Sequence, residues 1–107
     1  MASGFNGQSF AFHGYLPIDA AARIKRLKLL ETRAMSEDQT QLFIETPYRN
    51  AKLFADICST CAAKTRLCVA AGLTTEKEFV RTMTIKEWKQ GGLPDLGKIP
   101  AIFLIYK

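Results

Sequence analysis

Long apolar runs are missing from this sequence. None approaches the ~20 residues that a membrane-spanning helix requires, so the chain reads as soluble. Its opening residues lack a basic leader followed by an apolar core, so no secretory signal is visible. Cysteine is scarce, three in all, and the odd number points to reduced thiols in a cytoplasm rather than to a disulfide framework. Histidine occurs once, as His13. No P-loop, GxGxxG, nucleophile elbow or HExxH is present. Nothing here assembles a self-sufficient active site.

What is present belongs to an ordinary globular domain. The 107 residues suffice for one domain with its own core, and are few for a complete α/β enzyme. The hydrophobic fraction is 48% and the charged fraction 23%, both usual for a folded chain. A net charge of +5 and a pI near 9.3 are compatible with a nucleic acid or another polyanion.

Read in order, the chain alternates strands and helices. Ser9 to Leu16 forms a half-buried strand, with Phe10 and Phe12 on one side and Ala11, His13 and Tyr15 on the other. Asp19 caps a helix to about Thr32, in which Ile24, Leu27 and Leu30 make the apolar stripe. Its polar face carries Arg23, Lys25, Arg26 and Lys28, the most basic region of the chain. That face is either solvated or in contact with phosphates. A strand over Gln41–Glu45 and a helix from Pro47 to about Ala63 follow. Cys58 and Cys61 form a C-x-x-C in the second half of that helix, on its apolar stripe. A redox pair belongs at a helix N-terminus, and zinc wants four ligands where only Cys68 and His13 remain. Packing is the better account. Arg66–Leu73 and Phe79–Met83 read as strands, and Thr84 with Glu87 as the capping box of a short helix anchored by Trp88. Ala101–Tyr106 is apolar almost throughout and so central, buried on both faces. The order β-α-β-α-β-β-α-β predicts one α/β domain, a mixed sheet of about five strands with helices on its faces.

One stretch organises the rest. Leu42 to Arg49 runs from a buried strand straight into a helix start, with Thr46 as N-cap and Pro47 in the first turn. Glu45 suits the positive end of the helix dipole; Arg49 opposes it. Either the two pair, or Arg49 has a task, or it is an exposed arginine on a helix corner. Polar groups at the carboxyl end of a strand sit where open α/β sheets hold ligands. The small-residue stretch Ala70-Ala71-Gly72 marks either a tight turn or a second point of close approach.

Gly14-Tyr15-Leu16-Pro17, the basic helix behind it, Phe43-Ile44-Glu45-Thr46-Pro47-Tyr48-Arg49, Val69-Ala70-Ala71-Gly72-Leu73-Thr74 and the terminal apolar strand come in a familiar order. That order resembles the C-terminal half of the tetrapyrrole methylase superfamily, whose members use S-adenosylmethionine. The nearest branch is the bacterial 16S ribosomal RNA ribose 2′-O-methyltransferases. The resemblance covers nearly the whole chain, and Phe-x-Glu-[Ser/Thr]-Pro-x-Arg is its most specific piece. Seven positions depart from that branch. It usually carries Ala-Arg-Glu-Leu-Thr-Lys where this chain has Ala70-Ala71-Gly72-Leu73-Thr74-Thr75, and Gly-Glu in place of Ile99-Pro100. Its usual Tyr and His are here Ile44 and Tyr48.

The resemblance implies a two-domain enzyme in which S-adenosylmethionine sits between an N-terminal methylase domain and this one. Residues 1–7 read as the end of a helix and a loop, consistent with a piece of something longer. By position, Phe43, Ile44, Ala71, Gly72, Leu73, Pro100 and Ala101 would line the adenosyl pocket. Glu45, Tyr48 and Arg49 would face the substrate cleft. Arg23, Lys25, Arg26 and Lys28 would approach RNA. The implied partners are the N-terminal domain, an RNA substrate and a second copy in a homodimer, with no membrane and no metal, in the cytoplasm. The 107-residue chain alone would be inactive. A tetrapyrrole substrate, or a non-catalytic RNA-binding or dimerisation module, is the alternative.

Overall fold

The computed structural model describes residues 10–72, 78–93 and 99–106. Strand β1 (Phe10–Tyr15) leads into helix α1 (Ala20–Ser36) and strand β2 (Thr40–Glu45). A 3-10 turn (Pro47–Arg49) then opens helix α2 (Asn50–Thr60). Strands β3 (Arg66–Ala71) and β4 (Phe79–Thr84), helix α3 (Ile85–Gly91) and strand β5 (Ala101–Tyr106) complete the order that the apolar periodicity predicts. Ser9 and Leu73, the expected ends of the first and third strands, lie outside the described residues.

The five strands lie in the order β1-β2-β5-β3-β4. β1 and β2 run parallel, and β5 pairs antiparallel with both β2 and β3. β5 is therefore central, as its unbroken apolarity requires. Strand alternation divides the side chains between two faces. Phe43, Leu67, Val69, Phe103 and Ile105 share one core with Leu27 and Leu30 of α1, Leu53, Phe54 and Ile57 of α2, and Ile85 and Trp88 of α3. The helices expected on the sheet's faces thus share a single face. The opposite face holds a smaller cluster built from strands alone, Cys68, Leu104 and Tyr106 with Leu42, Val80 and Ile102 against it.

Helix α1 begins where Asp19 accepts the Ala22 N–H at 3.0 Å, the expected cap. Its buried stripe is Arg23, Leu27, Leu30 and Ala34, at spacings of four, three and four residues; Ile24 is only half-buried. Arg23 is 1% exposed, and its Nε and Nη2 reach Asp56 Oδ2 of α2 at 2.7 and 2.6 Å. This corrects the reading of Arg23 as an RNA contact. Its four-residue spacing from Leu27 puts it on the stripe, where only an ion pair makes a guanidinium tolerable. At α2, Thr46 gives no side-chain cap; the Glu45 carboxylate accepts its N–H at 2.8 Å instead.

The last helix is held by its cap and by one indole. Thr84 Oγ1 accepts the Glu87 N–H at 3.2 Å, and Glu87 Oε1 accepts the Thr84 N–H at 3.0 Å. Trp88 is fully buried; it donates Nε1–H to the Leu67 carbonyl at 2.8 Å and meets Phe54 edge-on. The Thr84 backbone N–H, then its hydroxyl, hold the Glu87 carboxyl below its usual range. The folded pKa being the lower one, the cap contributes fully above the unfolded value and fades as pH falls through the folded one. Thr84→Ala should cost about 1 kcal/mol. Glu87→Gln should flatten the acid side of the stability profile, read from urea midpoints across the carboxylate range.

Candidate functional site

β5 is antiparallel to both β2 and β3, so β1, β2 and β3 all end at the edge where β5 begins. Glu45 and Ala71 both stand opposite Ala101 in the register, and Ile44 and Ala70 both stand opposite Ile102. These two rows cross three strands and end in small side chains on β3. A cleft of about 290 Å³ opens there, lined by Tyr15, Ile44, Glu45, Ala70–Gly72 and Ile99–Ile102. Alanine and glycine create the room: a longer side chain at Ala70 would fill it, whereas Ala71 and Ala101 line it while packing into the main core. Gly72 leaves β3 with φ of 61°, a left-handed turn that suits glycine.

The expected pocket residues separate on this frame. Ile44, Ala71, Gly72, Pro100 and Ala101 line the cleft. Phe43 does not: it is fully buried on the helix side and stacked on Phe103 at 6.0 Å. Strand alternation turns it away, leaving only its backbone near the strand end. Leu73 lies outside the described residues. Glu45 lines the cleft although it is only 3% exposed. Tyr48 is 90% exposed on the 3-10 turn, and Arg49 is half-buried at the start of α2. Among the described residues no ion pair joins Glu45 and Arg49, which removes pairing as the reason for the arginine. Lys25 and Lys28 are exposed and Arg26 half-buried.

Sequence reasoning missed two contributors. Tyr15 lines the cleft because β1 shifts its register between Phe12 and Tyr15, around Gly14 with φ of 68°. The Gly-Tyr step was the available signal. Asn50, 4% exposed at the first position of α2, donates its side-chain N–H to the Ile99 carbonyl at 3.0 Å. It ties the helix to the segment that enters β5 beside the cleft.

The chain has relatives among proteins of established name. It is 30% identical over 86 residues to the ribosomal RNA small subunit methyltransferase I of Pseudomonas aeruginosa and 33% identical over 86 residues to that of Vibrio cholerae. Each match takes in 80% of this chain, but only 29% and 28% of the relative. Among solved structures, the methyltransferase CobJ superposes over 99% of this chain and 44% of its own, with a TM-score of 0.57 at 15% identity. The chain has the tetrapyrrole methylase fold. The uroporphyrin-III C-methyl transferase from Thermus thermophilus, solved with S-adenyl homocysteine, shares this domain's fold at a TM-score of 0.55 and 11% identity. It superposes over 95% of this chain and 44% of its own. No family model matches. No helix among the described residues is long and apolar enough to cross a membrane.

Two further groups in this domain are structural. His13 Nε2 lies 2.6 Å from Gln41 Oε1, which gives the one imidazole a partner away from the cleft. Cys58, Cys61 and Cys68 are free and buried, and burial pushes all three thiols up; the Glu31 carboxylate adds to the rise at Cys61. A thiol held above its unfolded value favours the fold below ~8.5, the ordinary thiol pKa, and loses that contribution as pH rises further. Iodoacetamide at neutral pH should label none of the three in the folded chain and all three in urea, counted by mass. Rapid native labelling of Cys58 or Cys61 would revive the redox reading.

Proposed function

We propose that this domain forms one wall of the S-adenosylmethionine site in a methyltransferase that acts on ribosomal RNA, at a ribose 2′-oxygen. An N-terminal methylase domain would supply the other wall, and the whole protein would work as a cytoplasmic homodimer. The observation that supports the cofactor half is the convergence of three small or apolar strand ends on one cleft. The relatives' names support the RNA half. The chain spans less than a third of those relatives, which fits a role shared with another domain.

The cleft suits the adenosyl group chemically. Ile44, Ile102 and Pro100 offer apolar contact to a flat ring, and the small residues of β3 and β5 let backbone groups approach it. When bound, S-adenosylmethionine supplies an electrophilic methyl group. This chain's residues would then hold and orient. Glu45 and Arg49 would fix the substrate at the mouth, where alignment of the acceptor oxygen is most of what in-line transfer needs from protein.

Calorimetry with S-adenosylhomocysteine tests the reading. The full-length protein should bind it, and the 107-residue chain should transfer no methyl group to ribosomal RNA. Turnover by this chain alone, or a full-length protein that binds no cofactor, would overturn it.

A further inference from the structure

We propose that the helix-free face of β1 is a platform for single-stranded RNA, whose bases stack on Phe10, Phe12 and Tyr15 along the way to the cleft. This rests on RNA being the substrate. The three rings are 52%, 62% and 63% exposed, unusual for large apolar side chains on a strand. They stand in one row. Phe12 pairs with Leu42 and Tyr15 with Ile44, so all follow the even-numbered, helix-free face of β2.

That row exists because of a bulge. Regular alternation from Phe12 would send Tyr15 to the helix side; the extra residue in β1 returns it to the face of Phe10 and Phe12. Gly14 meets the conformational demand with φ of 68°, and a Cβ there would touch nothing within 4 Å. Backbone conformation, not crowding, is therefore the reason for glycine. The bulge re-aims one aromatic ring, and that ring also lines the cleft.

The composition of the row favours nucleic acid over protein. Every base has a π-face, and aromatic rings on an open sheet are a recurrent means of holding unpaired bases. The three half-exposed rings offer roughly 350 Å², so a protein partner would have to draw on surface beyond the row to reach the ~800 Å² a stable interface takes from each side. Net charge agrees with a polyanionic partner. The chain as a whole carries +5.

The test measures anisotropy of a fluorescein-labelled single-stranded oligoribonucleotide and of its abasic counterpart of equal length, with the full chain. The base-bearing strand should bind more tightly. Phe12→Ala should weaken it about tenfold, and Phe10→Ala/Phe12→Ala should bring it to the level of the abasic strand, which neither variant affects. Phe10→Leu/Phe12→Leu keeps the face apolar and should fail in the same way; circular dichroism verifies folding. Equal affinity for the two strands would overturn the platform and leave phosphate-led RNA binding standing. Base preference that survives the double variants would overturn it too. No binding of either strand would overturn both the platform and the RNA reading. If Phe10→Ala/Phe12→Ala splits a dimer in sedimentation and leaves RNA affinity unchanged, the face is an interface between copies and the platform is overturned.

Discussion

Asp56→Ala should destabilise the domain by about 3 kcal/mol, whereas Arg23→Met should cost much less. The asymmetry follows from burial. The Arg23 side chain is 2% exposed, and that of Asp56 20%. Removing the carboxylate leaves a guanidinium between α1 and α2 with one weaker contact, Nη1 to the Ile18 carbonyl at 3.3 Å. That is an uncompensated charge in the low-dielectric space between helices. Removing the guanidinium instead leaves Asp56 able to turn toward water, and methionine refills most of the volume beside Leu27. The double variant should therefore resemble Arg23→Met, not the sum of the two losses, because the dominant cost of Asp56→Ala is the stranded Arg23 itself. Urea unfolding with an unchanged m-value measures all three. Equal losses for Asp56→Ala and Arg23→Met would show that the pair acts through packing rather than charge.

Arg23 also shows where reading from sequence stops. Every element was legible in order, because strands and helices carry their own periodicities and the Thr84–Glu87 and Asp19 caps declare two helix starts. The central place of β5 was legible from apolarity alone. The helix stripe of α1 was not, because a scale that counts arginine as polar turns Arg23 outward and promotes Ile24. Its partner, Asp56, lies 33 residues away, and no local pattern links the two. Phe10 and Phe12 were expected half-buried. They are exposed because the helices occupy only one face, a fact of layering and not of alternation. At the cleft, the small residues of β3 could be found from the chain, and Ile44 from the family resemblance. Phe43 was misassigned by one strand position, the smallest error that sends a side chain to the other face.

Ile44→Trp should lower the full-length protein's affinity for S-adenosylhomocysteine roughly 100-fold, about 2.7 kcal/mol. Stability should change by less than the roughly 1–3 kcal/mol that overpacking a core costs, because the cleft leaves room for the indole. Ile44 suits the test because it is half-buried and lines the cleft from the helix-free face, so an indole can enter the cavity without entering the core. Ala71, at 2% exposed and packed within the main core, could not be enlarged without confusing binding with folding. Arg49→Ala supplies the contrast. If Arg49 fixes the substrate, that variant keeps cofactor affinity and loses methyl transfer to RNA, a split that calorimetry and a transfer assay resolve separately. Should Ile44→Trp bind the cofactor as tightly as the parent, the adenosyl group does not occupy the cleft between β2, β5 and β3. Should Arg49→Ala and Ile44→Trp lose cofactor affinity alike, the cofactor extends across the mouth and Arg49 belongs to its site rather than to the substrate's.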